Sequence, residues 1–402
     1  MAALKYWLWL TNLPGLSNRS CWQLLEHFDS PEEIYYADEG HLRLVDGLSE
    51  EQRQRLQDKS LQRAEEILAQ CAAKEIFIVT VQDAAYPHRL RSIYDAPVLL
   101  YGKGAMPLFD EEAAVAVVGT RKCSPYGVHA AEELGYQMAK QGALLVSGMA
   151  EGIDAAAMKG ALRAGGFVAA ILGGGVDVIY PYANRRLYED VAATGVLLSE
   201  YPPGTPAEAW HFPVRNRIIS GLSLAALVVE APVRSGALIT ARTAMEQGRD
   251  VFAVPGPIDS ALSRGCNELI RDGAGLVMDG WDVLAGYQSR FPHRLHTDKG
   301  RLPKQTVEVA DEPETEAVAL PTLPVLDLKR NKEGLTDDQI RIIRVLDTRE
   351  GKLTDDVAEE TGLPVRRVLS ALTVLEIDGY AQQPSPRYFV RTVDIKDEKK
   401  EG

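Results

Sequence analysis

Val115-Ala116-Val117-Val118-Gly119-Thr120-Arg121 is an apolar run that stops in a glycine-bearing turn, with a helix start following at Pro125. Four apolar residues without polar alternation predict a strand covered on both faces. The pattern recurs. Residues 144–147 end at Ser147-Gly148, residues 167–172 at Gly173-Gly174-Gly175, and residues 225–230 lead to Ser235-Gly236; further strands are predicted at 196–199 and 251–254. Helical stretches lie between them, at 127–141, 153–164 and 237–247. Such alternation implies right-handed crossovers and an α/β fold, a doubly wound parallel sheet. Ligands of such sheets bind beyond the carboxyl ends of the strands, where these turns converge.

Outward from this stretch, two more strands are expected at 76–80 and 95–102, so the α/β domain is set at 76–285. Residues 1–75 read as short helices, with Leu13-Pro14-Gly15-Leu16-Ser17 and Val45-Asp46-Gly47-Leu48-Ser49 as links in which glycine takes the left-handed backbone. Two such hairpins are similar to a helix-hairpin-helix, or SAM-like, cap, although serine stands where a second glycine is usual. Residues 286–333, rich in proline, threonine and charge, are expected to be a flexible linker. Periodicity returns over 334–392: Thr336 and Thr354 as helix caps, a third helix over 365–377 and a hairpin from Tyr380 to Val390, together a winged-helix module. A charged tail closes the chain at 393–402.

The composition, 46% apolar and 25% charged, is that of a globular domain protein. A net charge of −13 argues against a generally basic coat for nucleic acid, but leaves room for a local basic groove. The four cysteines are scattered, with no metal-ligand spacing, which fits a reducing cytoplasm and no metal. No run approaches the ~20 apolar residues of a membrane span.

The chemistry expected at the sheet edge is anion binding. Gly119 and Thr120 offer backbone approach next to a helix N-terminus, and Arg121 offers a bidentate fork for phosphate oxygens. Ser147 and Gly148 are donors, Gly173 and Gly174 permit close approach, Asp154 and Asn184 are helix caps, and Glu230 is a partner for an arginine. Phe212-Pro213-Val214-Arg215-Asn216-Arg217 combines an aromatic, two arginines and an amide; a ring for a base and a guanidinium for a phosphate suit single-stranded nucleic acid. No G-x-G-x-x-G is present, so no dinucleotide cofactor is expected. Basic residues do not outnumber acidic ones in this domain, so the reading requires the arginines to gather at one edge.

Val-Val-Gly-Thr-Arg (117–121), Ser-Gly-Met-Ala-Glu-Gly-Ile-Asp (147–154), Gly-Gly-Gly-Val-Asp-Val-Ile-Tyr-Pro (173–181), Phe-Pro-Val-Arg-Asn-Arg-Ile-Ile-Ser-Gly-Leu-Ser (212–223), Ser-Gly-Ala-Leu-Ile-Thr-Ala (235–241), Val-Pro-Gly (254–256) and Gly-Cys-Asn (265–267), in that order, closely resemble the DprA/Smf family. The resemblance covers roughly residues 1–392. It implies an extended Rossmann-like fold for the doubly wound parallel sheet, and a non-enzymatic protein of natural transformation that binds and protects incoming single-stranded DNA and loads a RecA-type recombinase. It also implies a homodimer through the Rossmann domain, with single-strand-binding protein as a further partner. Carried over, the DNA pocket uses Gly119, Thr120, Arg121, Ser147, Gly148, Gly173, Gly174, Arg185, Phe212, Arg215, Asn216 and Arg217. Two positions depart from the family: its common histidine is Met158 here, and Glu151 stands where a basic residue is frequent. Arg366 and Arg367 are the only cations on the third helix of the winged module, which favours a protein-contacting role or weak duplex binding. Two other classes remain: a nucleotide or N-ribosyl hydrolase resembling the lonely-guy proteins, for which Arg234-Ser235-Gly236-Ala237 lacks the Pro-Gly-Gly-x-Gly-Thr turn, and a winged-helix transcription factor with a ligand-sensing Rossmann domain.

Overall fold

The apolar runs become the strands of one sheet. The computed structural model describes residues 3–297, 325–326, 334–348, 352–385 and 388–395. The chain divides into two compact units, residues 1–305 and 306–402.

The first unit opens with six helices, α1 (Leu4–Asn12), α2 (Asn18–His27), α3 (Pro31–Tyr36), α4 (Glu39–Arg43), α5 (Glu50–Arg55) and α6 (Gln62–Ala73). The links before α2 and α5 turn at Gly15 and Gly47, whose φ values of 83° and 84° favour glycine. Ser17 and Ser49 then cap the following helices, accepting from the amides of Ser20 and Gln52. That capping explains serine in place of a second glycine.

Strands β1 (Phe77–Thr80) and β2 (Leu99–Gly104) flank the short α7 (His88–Arg91). Then β3 (Ala114–Val118), β4 (Leu144–Ser147), β5 (Val168–Ile171), β6 (Val196–Ser199), β7 (Ala225–Val228), β8 (Asp250–Ala253) and β9 (Gly275–Leu276) alternate with α8 (Pro125–Lys140), α9 (Ile153–Arg163), α10 (Arg185–Thr194), α11 (His211–Gly221), α12 (Gly236–Glu246), α13 (Arg264–Arg271) and α14 (Gly280–Leu284). The sheet order is β1-β2-β6-β5-β4-β3-β7-β8-β9, parallel from β6 through β9 with β1 and β2 antiparallel at one edge. The two-residue edge strand β9 is not visible in the sequence pattern.

Alternate residues of each strand feed two cores. Ala114, Ala116 and Val118 pack with the N-terminal helices and with Ile218, Ile219 and Ala241. Val115 and Val117 pack on the other face with Leu134, Met138, Ala157 and Leu187. The helical cap therefore shares one core with the sheet and is not a detached module. The chain order reverses between β3 and β7, which lie side by side, so the switch point and its crevice fall beyond their carboxyl ends.

The expected linker begins later than residue 286. Ala285–Tyr287 form a 3₁₀ turn, Phe291 and Leu295 are buried in the second core, and the His296 amide donates to the Gln141 carbonyl. The remainder of the expected linker, apart from 325–326, lies outside the described residues.

In the second unit, α15 (Asp337–Val345), α16 (Thr354–Thr361) and α17 (Val365–Ile377) surround Ile342, Val357, Leu372 and Phe389. Strands at Lys352–Leu353, Ala381–Ser385 and Tyr388–Arg391 form the wing. Thr336 caps α15 through a reciprocal capping box with Gln339. Thr354 is the first residue inside α16 and not its cap. Val393 is buried and Asp394–Ile395 pairs with Val325–Leu326, so ordered structure runs past the expected end at 392; residues 396–402 lie outside the described residues.

Candidate nucleic-acid interface

The switch point opens a cleft of about 480 Å³. It is lined by Val118, Gly119, Thr120 and Arg121 at and after the end of β3, by Ile219 of α11, by Arg234, Ser235 and Gly236 before and at the start of α12, and by Tyr180 and Phe212.

The turn after β3 is held from behind. The Thr120 amide donates to the Glu230 carbonyl at 2.7 Å. The buried Glu230 carboxylate accepts from the Ser124 amide (2.8 Å) and hydroxyl (2.6 Å). Glu230 thus fixes the entry to α8 and does not pair with an arginine as the sequence reading expected. Arg121 is left exposed, with its guanidinium 4.9 Å from the Phe212 ring centre.

Phe212-Pro213-Val214-Arg215-Asn216-Arg217 lies in the first part of α11, and residues 200–210 make the connection from β6. The helix separates its residues by face. Phe212, Arg215 and Asn216 line the cleft. Arg217 points away: buried, it bonds both Glu200 oxygens (2.8 and 2.9 Å) and the Asp95 carbonyl and carboxylate (2.7 and 2.9 Å). The structure gives it a fold-locking ion pair and does not bring it to the cleft.

Arg215 is fully enclosed. It donates to the carbonyls of Gly148 (2.9 Å) and Ile171, and burial pushes its guanidinium down to about 10, opposed by the nearby Asp154 carboxylate. It stays cationic at neutral pH. Asp154 is itself held above the usual carboxylate range by burial, against the pull of Arg215. It is not a helix cap: Gly152 occupies that position, and the Asp154 carboxylate accepts from the Gly148 amide at 3.1 Å.

The glycines make room for the protein's own atoms. A Cβ on Gly148 would lie 2.6 Å from the Arg215 guanidinium, and one on Gly173 would lie 2.9 Å from the Phe212 ring. Gly174 backs onto the 205–207 backbone in the same way. Ser147 is buried and gives its hydroxyl to the Val117 carbonyl at 2.6 Å. Asn184 stands at the start of α10, but its amide donates to the carbonyls of Met149 and Ala150, bracing Met149 in a left-handed conformation (φ 55°). Arg185 bonds Glu189 and Tyr182 on the surface, outside the cleft lining. Met158 is a fully buried core residue.

Two cleft residues were missed by sequence reasoning. Tyr180 stacks on Phe212 (centroids 5.5 Å apart, planes 29°) and is half exposed. Arg234 is exposed on the α12 side. Both follow strand ends, which was the available signal. Neither Arg121 nor Arg234 has an ion-pair partner among the described residues. The cleft therefore joins the buried Arg215, with the Asp154 carboxylate near it, to exposed cations beside Tyr180 stacked on Phe212. It can hold phosphate oxygens and a flat aromatic group together.

A Rossmann-like sheet with such a switch-point cleft, a helical cap and a winged-helix module defines the class. Residues 77–288 match the family described as DNA recombination-mediator protein A, and residues 327–384 match the DprA winged helix domain. The chain is 49% identical over 209 residues to DNA processing protein DprA of Streptococcus pneumoniae, covering 52% of this chain and 73% of that protein. It is 34% identical over 395 residues to Protein Smf of Synechocystis sp., covering 95% and 98%. The X-ray structure of DNA processing protein A from S. pneumoniae superposes with a TM-score of 0.60 at 40% identity, over 70% of this chain and 97% of that one. The chain belongs to the DNA recombination-mediator protein A family, the DprA/Smf family. Among the described residues no helix is long and apolar enough to cross a membrane.

Proposed function

We propose that this protein binds single-stranded DNA in the switch-point cleft as a recombination mediator of natural transformation, protecting the strand and delivering it to a RecA-type recombinase in the cytoplasm. The observation that carries the reading is the Arg121–Phe212–Tyr180 cluster: the exposed Tyr180 ring, stacked on the half-buried Phe212 beside a guanidinium with no ion-pair partner among the described residues, suits a base and its phosphate, and duplex DNA cannot offer an unstacked base. Gly119, Thr120, Arg215 and Asn216 complete the contact surface, with Arg234 added. The reading is of a binder and not an enzyme: the buried Asp154 carboxylate beside the cleft accepts from the Gly148 amide and offsets the charge of the nearby Arg215. A homodimer through the Rossmann domain, and traffic with single-strand-binding protein, belong to the same proposal.

The test is fluorescence polarization with labelled single- and double-stranded oligonucleotides over a salt series. Preference for single strands, with log affinity falling by about 0.7 per phosphate contact against log salt, is expected. Equal affinity for duplex, or no binding, refutes the proposal. Recombinase loading is read separately, as faster recombinase filament growth on DNA coated with single-strand-binding protein.

A further inference from the structure

Between the helical cap and the end of α7 lies an array that the cleft does not use. On α2, Arg19 and Trp22 are three residues apart and so share a face. Opposite them, Arg91 at the end of α7 and Tyr94 just beyond it are also three apart. The pairs cross-match. The Arg19 guanidinium lies 5.5 Å from the Tyr94 ring centre and donates to its hydroxyl, and the Arg91 guanidinium lies 5.6 Å from the Trp22 ring centre. Cation and aromatic thus alternate along both rows. Trp22 is fixed by donating its indole N–H to the Ala96 carbonyl at 2.8 Å. Tyr94 is 83% exposed, a ring held in solvent by a cation that spends one donor on it.

This array is tied to the cleft through one helix. Arg217 of α11 bonds Asp95, next to Tyr94, and Glu200, which accepts from Asn18, next to Arg19. Phe212 and Arg215, from the same helix, line the cleft. Array and cleft are therefore joined through α11, on which Pro213 and Val214 are exposed. The two carboxylates on this path, Asp95 and Glu200, share Arg217, and Arg19 and Arg91 supply two further positive charges.

We infer that Arg19, Trp22, Arg91 and Tyr94 form a second contact site for single-stranded nucleic acid, taking up the strand as it leaves the cleft over Pro213 and Val214. Exposed Tyr94 offers a face for a base, and the two guanidinium groups meet the flanking phosphates. The inference rests on the cleft binding a single strand, and the test separates the two.

The full-length protein is titrated with fluorescein-labelled oligothymidylates of two lengths, about five nucleotides to fill the cleft alone and about twenty to run beyond it. Tyr94→Ala is expected to weaken the long probe by roughly five- to a hundred-fold, the range of one base–aromatic stack, and leave the short probe unchanged. Tyr94→Phe keeps the ring and retains long-probe affinity. Arg19→Ala lowers the slope of log affinity against log salt by about 0.7 for the long probe only. If Tyr94→Ala shifts neither probe, or both equally, while the wild-type protein binds the short one, this inference falls and the cleft reading stands. If the wild-type protein does not bind the short probe, both fall.

Discussion

Arg121 and Arg217 are both arginines expected from the sequence to meet phosphate, and the structure assigns them opposite work, which a paired substitution tests. Arg121 is exposed, and among the described residues its guanidinium lies over the Phe212 ring. In Arg121→Ala the fold loses an exposed cation–π contact of about 0.5–1 kcal/mol, and the melting temperature moves by no more than about 4 °C. Binding loses a hydrogen bond to a charged group, about 1.5–3 kcal/mol, a ten- to hundred-fold weakening. The salt slope falls by about 0.7. Arg217 has a side chain 11% exposed, against 15% for Glu200 and 39% for Asp95. Arg217→Ala strands two carboxylates, one of them well buried. The low end of the 3–5 kcal/mol range for breaking a buried pair applies, because Asp95 reaches water: about 3 kcal/mol, or a melting temperature roughly 6–12 °C lower. With a short oligothymidylate at a temperature well below both transitions, Arg217→Ala binds like wild type. The assay is polarization beside differential scanning fluorimetry. Unchanged affinity in Arg121→Ala, or a tenfold loss in Arg217→Ala with its melting temperature intact, refutes the division.

Three further outcomes follow from the same geometry. Gly148→Ala places a methyl 2.6 Å from the Arg215 guanidinium; a stability loss of about 1–3 kcal/mol and weakened binding are expected in melts and polarization, whereas Gly236→Ala, with nothing within 4 Å, stays near wild-type stability. Burial pushes the thiols of Cys21 and Cys266 up to about 12 and that of Cys71 to about 11, so a thiol reagent at mildly alkaline pH should label Cys123 in the native protein and all four cysteines only after denaturation. Burial alone would raise the Asp177 carboxyl, but Lys74 (2.5 Å) and the Gly204 amide (2.8 Å) hold it below the usual carboxylate range. Its stabilisation is then present above the unfolded-state value of about 3.9 and lost as pH falls through the folded one. Denaturant melts should show Asp177→Asn less stable than wild type at neutral pH, with the gap closing in acid; a gap that is constant with pH excludes the linkage.

The fold was legible because two periodicities agree. β3, Ala114–Val118, is buried at every position, and an unbroken apolar run is what a strand covered on both faces needs. The edge strand β9 was not legible, since two residues, Gly275 and Leu276, carry no period. The shared core between the cap and the sheet was also hidden. Trp7, Leu24 and Ile67 are apolar on any reading, and nothing local says that their partners include Ala116 and Ile171.

The site was legible at the level of the turn and not at the level of the side chain. The sequence places Arg121, Arg215 and Arg217 at one sheet edge, and all three are close to it. Their fates are set by helical phase: on α11, positions 212, 215 and 216 face the cleft while 217 falls toward Asp95 and Glu200, and that phase is visible only once α11 is known to begin at His211. The glycines carry the same lesson. Gly173 invites a reading of close ligand approach and Gly148 one of amide donation to a ligand, yet the groups that press on them are Phe212 and Arg215. They act on the cleft one step removed, by letting a buried cation and a ring sit where a Cβ would forbid them. A glycine in a strand-end turn therefore signals that something approaches the backbone closely; whether that is ligand or the protein's own arginine depends on contacts more than twenty residues away, such as Gly148 to Arg215 and Gly173 to Phe212.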